Sequence, residues 1–449
     1  MTKEQIINKA IKFHLDGNLT EAVKHYQYCI NNNLYDHRVF CNLGLILINL
    51  GKNKEAEILM KAAIQLKPDF TNAHNNMGII FRNLKKFKDA ELSTRKAIKL
   101  NPDLAESHYN LGTILKDLGK LKEAELSSRK AIELKPDLAK AHYNLGTILM
   151  DLGKLKEVLI LSKSTIKLKT ISKSDKLMAL VNITISNLLL QNFSDTLLNL
   201  NKINELINQG VANTIKDVKS RKHTLNFSKF IYELYSQLDK LNHKSESIIP
   251  HIGESHCLSF AHQIVSLSSK LEKIQPVLIT GGKAWHFANC NYNHWKDSLI
   301  QQIKNHTYSN KILISFGEID CRKDQGILAF SVGKNKKISE VCKNTIKGFI
   351  NFMENQLSKK FSERYYFGIP APLIETELHD ELDKKRIEMI KIYNSILKKE
   401  VLSKGCYFLD VYELTSKKNG ENNNIYMCDK IHLSPNCLNI LFKNHLYKP

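Results

Sequence analysis

The chain has no Cys-x-x-Cys pair, no block of like charge and no apolar run long enough to cross a bilayer. Its nine cysteines (Cys29, Cys41, Cys257, Cys290, Cys321, Cys342, Cys406, Cys428 and Cys437) are scattered singly and odd in number, which excludes a zinc ribbon or a disulfide framework and reads as reduced thiols. A spanning helix needs about 18 consecutive apolar residues, and none occur. The opening MTKEQIINKAIKFHLDG has charges throughout and no apolar core before a small-residue cleavage site, so no secretory signal is expected and the cytoplasm is the expected compartment. The formal net charge is +21, yet lysine supplies most of the excess and is dispersed among Asn and Ile. A single-strand groove would interleave it with aromatics, so nucleic acid is not an expected partner. What is present is 43% apolar content over 449 residues, enough for several cores.

The first third repeats itself. Gly44, Gly78, Gly112 and Gly146 are 34 apart, as are Ala22, Ala56, Ala90 and Ala124, and Pro68, Pro102 and Pro136. That period and those residues resemble the tetratricopeptide repeat (TPR), an antiparallel helix pair stacked into a superhelix. The small residues allow close helix approach, and proline falls where one helix must stop before the next unit. Five units are expected over residues 1–172. The first lacks the Pro and the fifth has Val158 in place of Ala, as end units of a solenoid do. The stretch AHYNLGTILMDLGKLKEV (141–158) is similar to repeats of the O-linked N-acetylglucosamine transferase superhelix. That resemblance ends with the repeats and brings no glycosyltransferase activity. It implies an asparagine ladder on a concave face, here Asn42, Asn76, Asn110 and Asn144, whose amides could donate to and accept from an extended peptide or protein partner; the alternative is local hydrogen bonding within the array. His74, His108 and His142 share the period and read as packing positions, since successive repeats separate them too far for a metal column.

From Lys173 the period is lost, but apolar spacing of three and four continues, so a helical extension and linker are expected over 173–246. From 247 to 449 the pattern changes. Five short β-branched or aromatic runs (247–252, 276–281, 311–317, 364–370, 406–412) alternate with helix-length stretches near 258–272, 294–306, 338–358 and 382–403, and a last helix follows Pro435. Strand–helix alternation implies a five-stranded parallel sheet covered on both faces, a three-layer α/β domain.

Polar residues cluster at the ends of these runs: Gly253-Glu254-Ser255-His256, Gly281-Gly282, Gly317-Glu318-Ile319-Asp320-Cys321-Arg322 and, near the end, Asp429-Lys430-Ile431-His432. A serine on a sharp strand-to-helix turn exposes a hydroxyl beside backbone N–H groups. In order and spacing these blocks resemble the SGNH (GDSL-like) hydrolase superfamily over the last 200 or so residues. The resemblance implies a flavodoxin-like fold and a Ser-His-Asp site, with Ser255 as nucleophile, His432 as general base and Asp429 orienting it. It also implies an oxyanion hole made by the N–H of Ser255 with that of Gly281 or Gly282. Glu254, His256, Gly317, Glu318, Asp320 and Arg322 would support the loops or the substrate.

Two departures stand out. Glu254 replaces the usual Asp, and Ile319 occupies the place of an Asn whose amide completes the oxyanion hole. Isoleucine cannot donate, so Arg322 or His256 would have to, or turnover would be poor; an Asp320–Arg322 ion pair is the structural alternative for this loop. His286, Cys290 and His294 are spaced by four, but the Asn-rich sequence between them favours a loop, and no metal or cofactor is expected. His379 and Asp380 read as solvated loop residues. The composite expectation is a TPR array joined to a serine esterase or O-acyltransferase acting on an acylated small molecule or glycan. The alternatives are a non-catalytic interaction scaffold with a degenerate α/β domain and, on the repeats alone, a glycosyltransferase-like peptide-modifying enzyme.

Overall fold

The computed structural model describes the chain except at residues 170, 216–217, 238–246, 268–269, 292, 307, 323–325, 375–380 and 430, and except for the side chains of 218–220, 222–223 and 236–237. The expected linker at 240–246 and the solvated pair His379 and Asp380 lie outside the described residues. Two compact units result, Met1–Leu145 and Gly146–Pro449.

In the first unit, helices α1 (Lys3–Leu15), α2 (Leu19–Asn31), α3 (His37–Asn49), α4 (Asn53–Leu66), α5 (Thr71–Asn83), α6 (Phe87–Leu100), α7 (Ala105–Asp117) and α8 (Leu121–Leu134) form four successive pairs, and α9 (Ala139–Asp151) runs across the division. The repeated small residues sit where helices of a pair meet: a Cβ on Gly78 would lie 2.1 Å from Thr94 Oγ1, so only glycine fits there. The repeated histidines tie each unit's first helix to the preceding turn. His74, His108 and His142 each place Nε2 within 2.8–2.9 Å of the carbonyl of Pro68, Pro102 or Pro136. Proline ends one helix, and its carbonyl then accepts a hydrogen bond from the next.

The second unit begins with helices α10 (Leu155–Thr165), α11 (Lys173–Leu189), α12 (Phe193–Asn208) and α13 (Val218–Gln237). They precede strands β1 (Ser247–Gly253), β2 (Ile264–Leu267), β3 (Lys270–Leu278), β4 (Lys311–Ser315), β5 (Glu363–Phe367), β6 (Tyr407–Leu409) and β7 (Leu446–Tyr447). The remaining helices are α14 (Ala284–Ala288), α15 (His294–Lys304), α16 (Ile327–Lys334), α17 (Ile338–Leu357), α18 (Glu381–Ser403), α19 (Val411–Thr415) and α20 (Leu438–Asn444).

The expected five-stranded parallel sheet is instead a seven-stranded mixed sheet, ordered β2-β3-β1-β4-β5-β6-β7, with β2 and β7 antiparallel at its edges. Its five central strands are parallel. The helix expected over 258–272 is absent: a 3-10 turn, Ser255–Phe260, leads into β2, which pairs back onto the start of β3. Short apolar runs suit either a strand or a buried helix, and pairing with an open edge decides for the strand. Side chains alternate between two cores. Ile252, Ile312, Ile314, Tyr366 and Phe408 face one; Ile249, Leu313, Tyr365, Phe367 and Leu409 face the other, as a sheet buried on both sides requires. Strand order reverses direction between β1 and β4, and the crevice at such a switch point is where doubly wound sheets bind ligands. α11 closes the β2–β3 side of the unit: His262 Nε2 lies 2.8 Å from Leu188 O, and Gln275 Nε2 donates to Leu189 O at 3.2 Å.

Candidate active site

The carboxyl ends of β1 and β4 touch through Gly253. A Cβ there would lie 2.3 Å from Ser315 Oγ and 2.5 Å from Ser315 O, so glycine is what lets the chain turn directly into the 3-10 segment that begins at Ser255. Ser255 is half-buried and the residues around it are buried. The other half of the site comes from a tight loop near the end of the chain. Cys428 N donates to His432 O at 2.9 Å and Ser434 N to Tyr426 O at 2.8 Å, closing the loop, while Asp429 Oδ1 accepts from the N–H groups of Ile431 and His432 at 2.7 and 2.6 Å. Two residues three apart therefore meet side by side. His432 Nδ1 lies 2.7 Å from Asp429 Oδ2, and His432 Nε2 lies 2.8 Å from Ser255 Oγ.

Burial would raise the Asp429 pKa, but the hydrogen bond and charge of His432, with the two backbone donors, bring it down to about 2. With a carboxylate on Nδ1, the imidazole carries its proton there and presents a lone pair at Nε2 to the serine hydroxyl. That arrangement can remove a proton from Ser255 and return it to a leaving group.

The neighbouring loops are joined by buried carboxylates. Glu254 Oε1 accepts from Glu318 N at 3.2 Å, tying the end of β1 to that of β4. Asp320 accepts from Ala284 N at 2.7 Å and Trp285 N at 3.1 Å, holding the start of α14. The Asp320–Arg322 ion pair is not formed: Arg322 donates to Glu318 at 2.6 and 2.9 Å, one helical turn back, because the backbone donors already take the Asp320 oxygens. Burial raises the Asp320 carboxyl to about 7 and drives Glu254 well above the usual range, whereas Arg322 overcomes burial to hold Glu318 below it. Gly317 adopts φ +119°, and a Cβ there would come 2.6 Å from Tyr393 Oη.

Gly281 and Gly282 follow β3, as expected. The Gly282 N–H donates to Ile279 O at 3.1 Å, and Gly281 adopts φ +67°. The two side chains expected as alternative donors form other hydrogen bonds: Arg322 with Glu318, and His256 through Nε2 at 3.1 Å from Ile431 O. Burial and the adjacent His432 lower His256 to about 4. Glu254, His256 and Glu318 place ligand-type atoms within 4.8 Å of one another. Arg322 already pairs with Glu318 and Arg386 stands 4.0 Å from its other oxygen, so the cationic position beside that carboxylate is filled by arginine.

Among the described residues His286, Cys290 and His294 do not form a metal-type group; His286 stacks on Trp295 with ring centroids 3.4 Å apart, and His294 lies against the same ring at 3.8 Å, tilted by 34°. Phe230 of α13 lies face to face with His432, an arrangement that no sequence pattern signals, since an apolar residue on an amphipathic helix reads as packing. In the array, Asn76 donates to Cys41 Sγ, Asn110 to Asn75 Oδ1 and Asn144 to Ser128 Oγ, while Asn42 hydrogen-bonds Tyr26. These amides thus link neighbouring helices. Among the described residues no helix is long and apolar enough to cross a membrane.

A comparison with curated proteins finds no match. Among solved structures, the chain is similar to TTC0263, a thermophilic TPR protein of Thermus thermophilus (16% identity, 40% of this chain and 99% of that one, TM-score 0.37). It is also similar to YrrB, described as a TPR protein with an unusual peptide-binding site (20%, 45% and 97%, TM-score 0.34), and to a fragment of MamA from Desulfovibrio magneticus RS-1 (20%, 37% and 94%, TM-score 0.33). Family models of the tetratricopeptide repeat match residues 37–70, 71–104 and 94–125, and a TPR repeat model matches 112–153. The N-terminal ~150 residues of the chain are tetratricopeptide repeats, a protein-interaction module.

Proposed function

We propose that the α/β portion is a serine esterase or O-acyltransferase of SGNH-like type, brought to its target by a protein or extended peptide bound to the repeats. The observation that carries this reading is the continuous hydrogen-bonded line from Asp429 through His432 to Ser255 Oγ, with links of 2.7 and 2.8 Å. In the reaction, Ser255 Oγ attacks the acyl carbon as its proton passes to His432 Nε2, and Asp429 stabilises the imidazolium. By the resemblance, the N–H groups of Ser255 and Gly281 or Gly282 would stabilise the oxyanion. Collapse expels the alcohol, which takes the proton from His432 and leaves an acyl-Ser255 ester; water yields the acid, or a second hydroxyl takes the acyl group. An acylated sugar or glycan is the substrate class proposed from the resemblance.

The test is labelling of the full chain by a fluorophosphonate probe. Wild type should label, while Ser255→Ala and His432→Ala should not, with circular dichroism unchanged. A wild type left unlabelled under conditions that label a known serine esterase would favour the second reading, a binding scaffold with an inactive α/β portion. Ile319 supports that second reading, since isoleucine cannot donate and Arg322 and His256 are hydrogen-bonded to Glu318 and Ile431 O.

A further inference from the structure

We propose that Phe230 is a positioning residue of this site, holding the His432 imidazole in the plane that joins Asp429 to Ser255. This rests on the triad reading above. The ring centroids of Phe230 and His432 are 3.7 Å apart and the planes are inclined by 22°, which is van der Waals contact with no space for water between them. Phe230 is 1% exposed.

Two hydrogen bonds at Nδ1 and Nε2 define the working position of the imidazole, but the side chain can still swing about its Cα–Cβ and Cβ–Cγ bonds. Such a swing would carry Nε2 out of line with Ser255 Oγ. A flat ring against one face blocks that motion. His256 is a second ring beside the imidazole, 4.9 Å away at 41°, and is itself anchored on Ile431 O. Phe230 is well placed to resist displacement because its helix is fixed from behind. Thr224, Ser228, Ile231 and Leu234 of α13 are buried, and Tyr235 Oη donates to Phe193 O at the start of α12.

The contact also has an electrostatic side. The face of a phenyl ring is negative, so it attracts a cation lying over it. His432 is neutral before the attack and positive once it holds the Ser255 proton, so Phe230 favours the state that exists only after proton transfer. An interaction of that kind acts on kcat and leaves substrate affinity nearly alone. A residue from the helical segment between the repeats and the sheet thereby completes a site built otherwise on the sheet.

The experiment uses the full chain with Phe230→Leu and Phe230→Met, which keep apolar bulk and lose the ring, assayed with p-nitrophenyl acetate and the fluorophosphonate probe. Expected are a fall in kcat and labelling rate of about tenfold, with KM within about twofold of wild type. A variant that labels at the wild-type rate, or one that changes KM alone, overturns the proposal. A second measurement is independent of turnover and of how the variants fold: nuclear Overhauser contacts between the Phe230 ring protons and the His432 ring protons in wild type. They should be present, and their absence overturns the stack. If they are present and wild type does not label, the triad reading fails and the positioning role fails with it, a result distinct from loss of the stack.

Discussion

Replacing Asp429 by Asn removes one charge and keeps the shape, so it isolates what the carboxylate does. Its pKa stands at about 2 against an ordinary 3.8, and at about 1.4 kcal/mol for each pH unit that difference amounts to about 2 kcal/mol of folding stability. The sign follows from the direction. A carboxyl whose folded pKa is depressed stabilises the fold above its unfolded pKa, and the benefit disappears as pH falls through the folded value. Asp429→Asn should therefore be less stable than wild type by about 2 kcal/mol at pH 7, and the gap should narrow between about pH 4 and pH 2. The chain's two tryptophans, Trp285 and Trp295, both lie in the second unit, so urea unfolding followed by tryptophan fluorescence reports on that unit without the repeats. The same variant should lose about 10³-fold or more in fluorophosphonate labelling rate, since an amide facing Nδ1 disturbs the tautomer that leaves Nε2 free. A gap under about 0.5 kcal/mol at pH 7, or one that persists unchanged at pH 2.5, would refute the argument.

Burial brings His251 down to about 3; its ring stacks with Phe367 and Phe260, and its Nε2 lies 3.0 Å from Ser315 Oγ. The unfolded chain therefore takes up that proton first, and wild type should lose about 3 kcal/mol between pH 7 and pH 4 relative to His251→Phe, measured by the same fluorescence; parallel pH profiles would sink the idea. In the array, Gly78→Ala should cost about 1–3 kcal/mol by driving a methyl into Thr94, and adding Thr94→Ala should return most of it. Thermal unfolding by circular dichroism of both variants decides this, and an unrescued double variant would show that the clash lies elsewhere.

The repeats were legible because a 34-residue period fixes identical contacts in each unit, so Gly78 and Gly112 announce themselves by position alone. The meeting of Ser255, His432 and Asp429 is legible for a different reason: the three fall in short loops after apolar runs, where few other roles compete. Strand β2 was not, because LSFAHQIVSLSS offers apolar spacings that suit a helix, and only the free edge of β3 makes the choice. The two-residue β7 carries no periodic signal at all. The sequence leaves the partner of Arg322 open, because Asp320 and Glu318 are both within reach along the chain. Folding settled it by giving Asp320 two backbone donors from α14. Phe230 was invisible for the opposite reason, since its spacing on α13 fits ordinary packing and the ring it packs against lies far along the chain.

The buried acids around Ser255 divide in a way that bears on His432. Glu254 is driven toward its neutral form by burial, with the nearby Glu318 adding to the shift, and Asp320 is raised to about 7 by burial. Arg322 neutralises Glu318, and His256 is kept uncharged well below pH 6. Among the groups close to the Ser255 side of the site, the carboxylate hydrogen-bonded to the His432 ring is therefore Asp429. A charge that developed on the imidazole would find its compensating partner at 2.7 Å and no second imidazolium beside it. The extra methylene of Glu254 fits the same scheme: its Oε1 reaches the Glu318 N–H, so the carboxyl ties two loops together while burial disfavours its charged form beside Ser255.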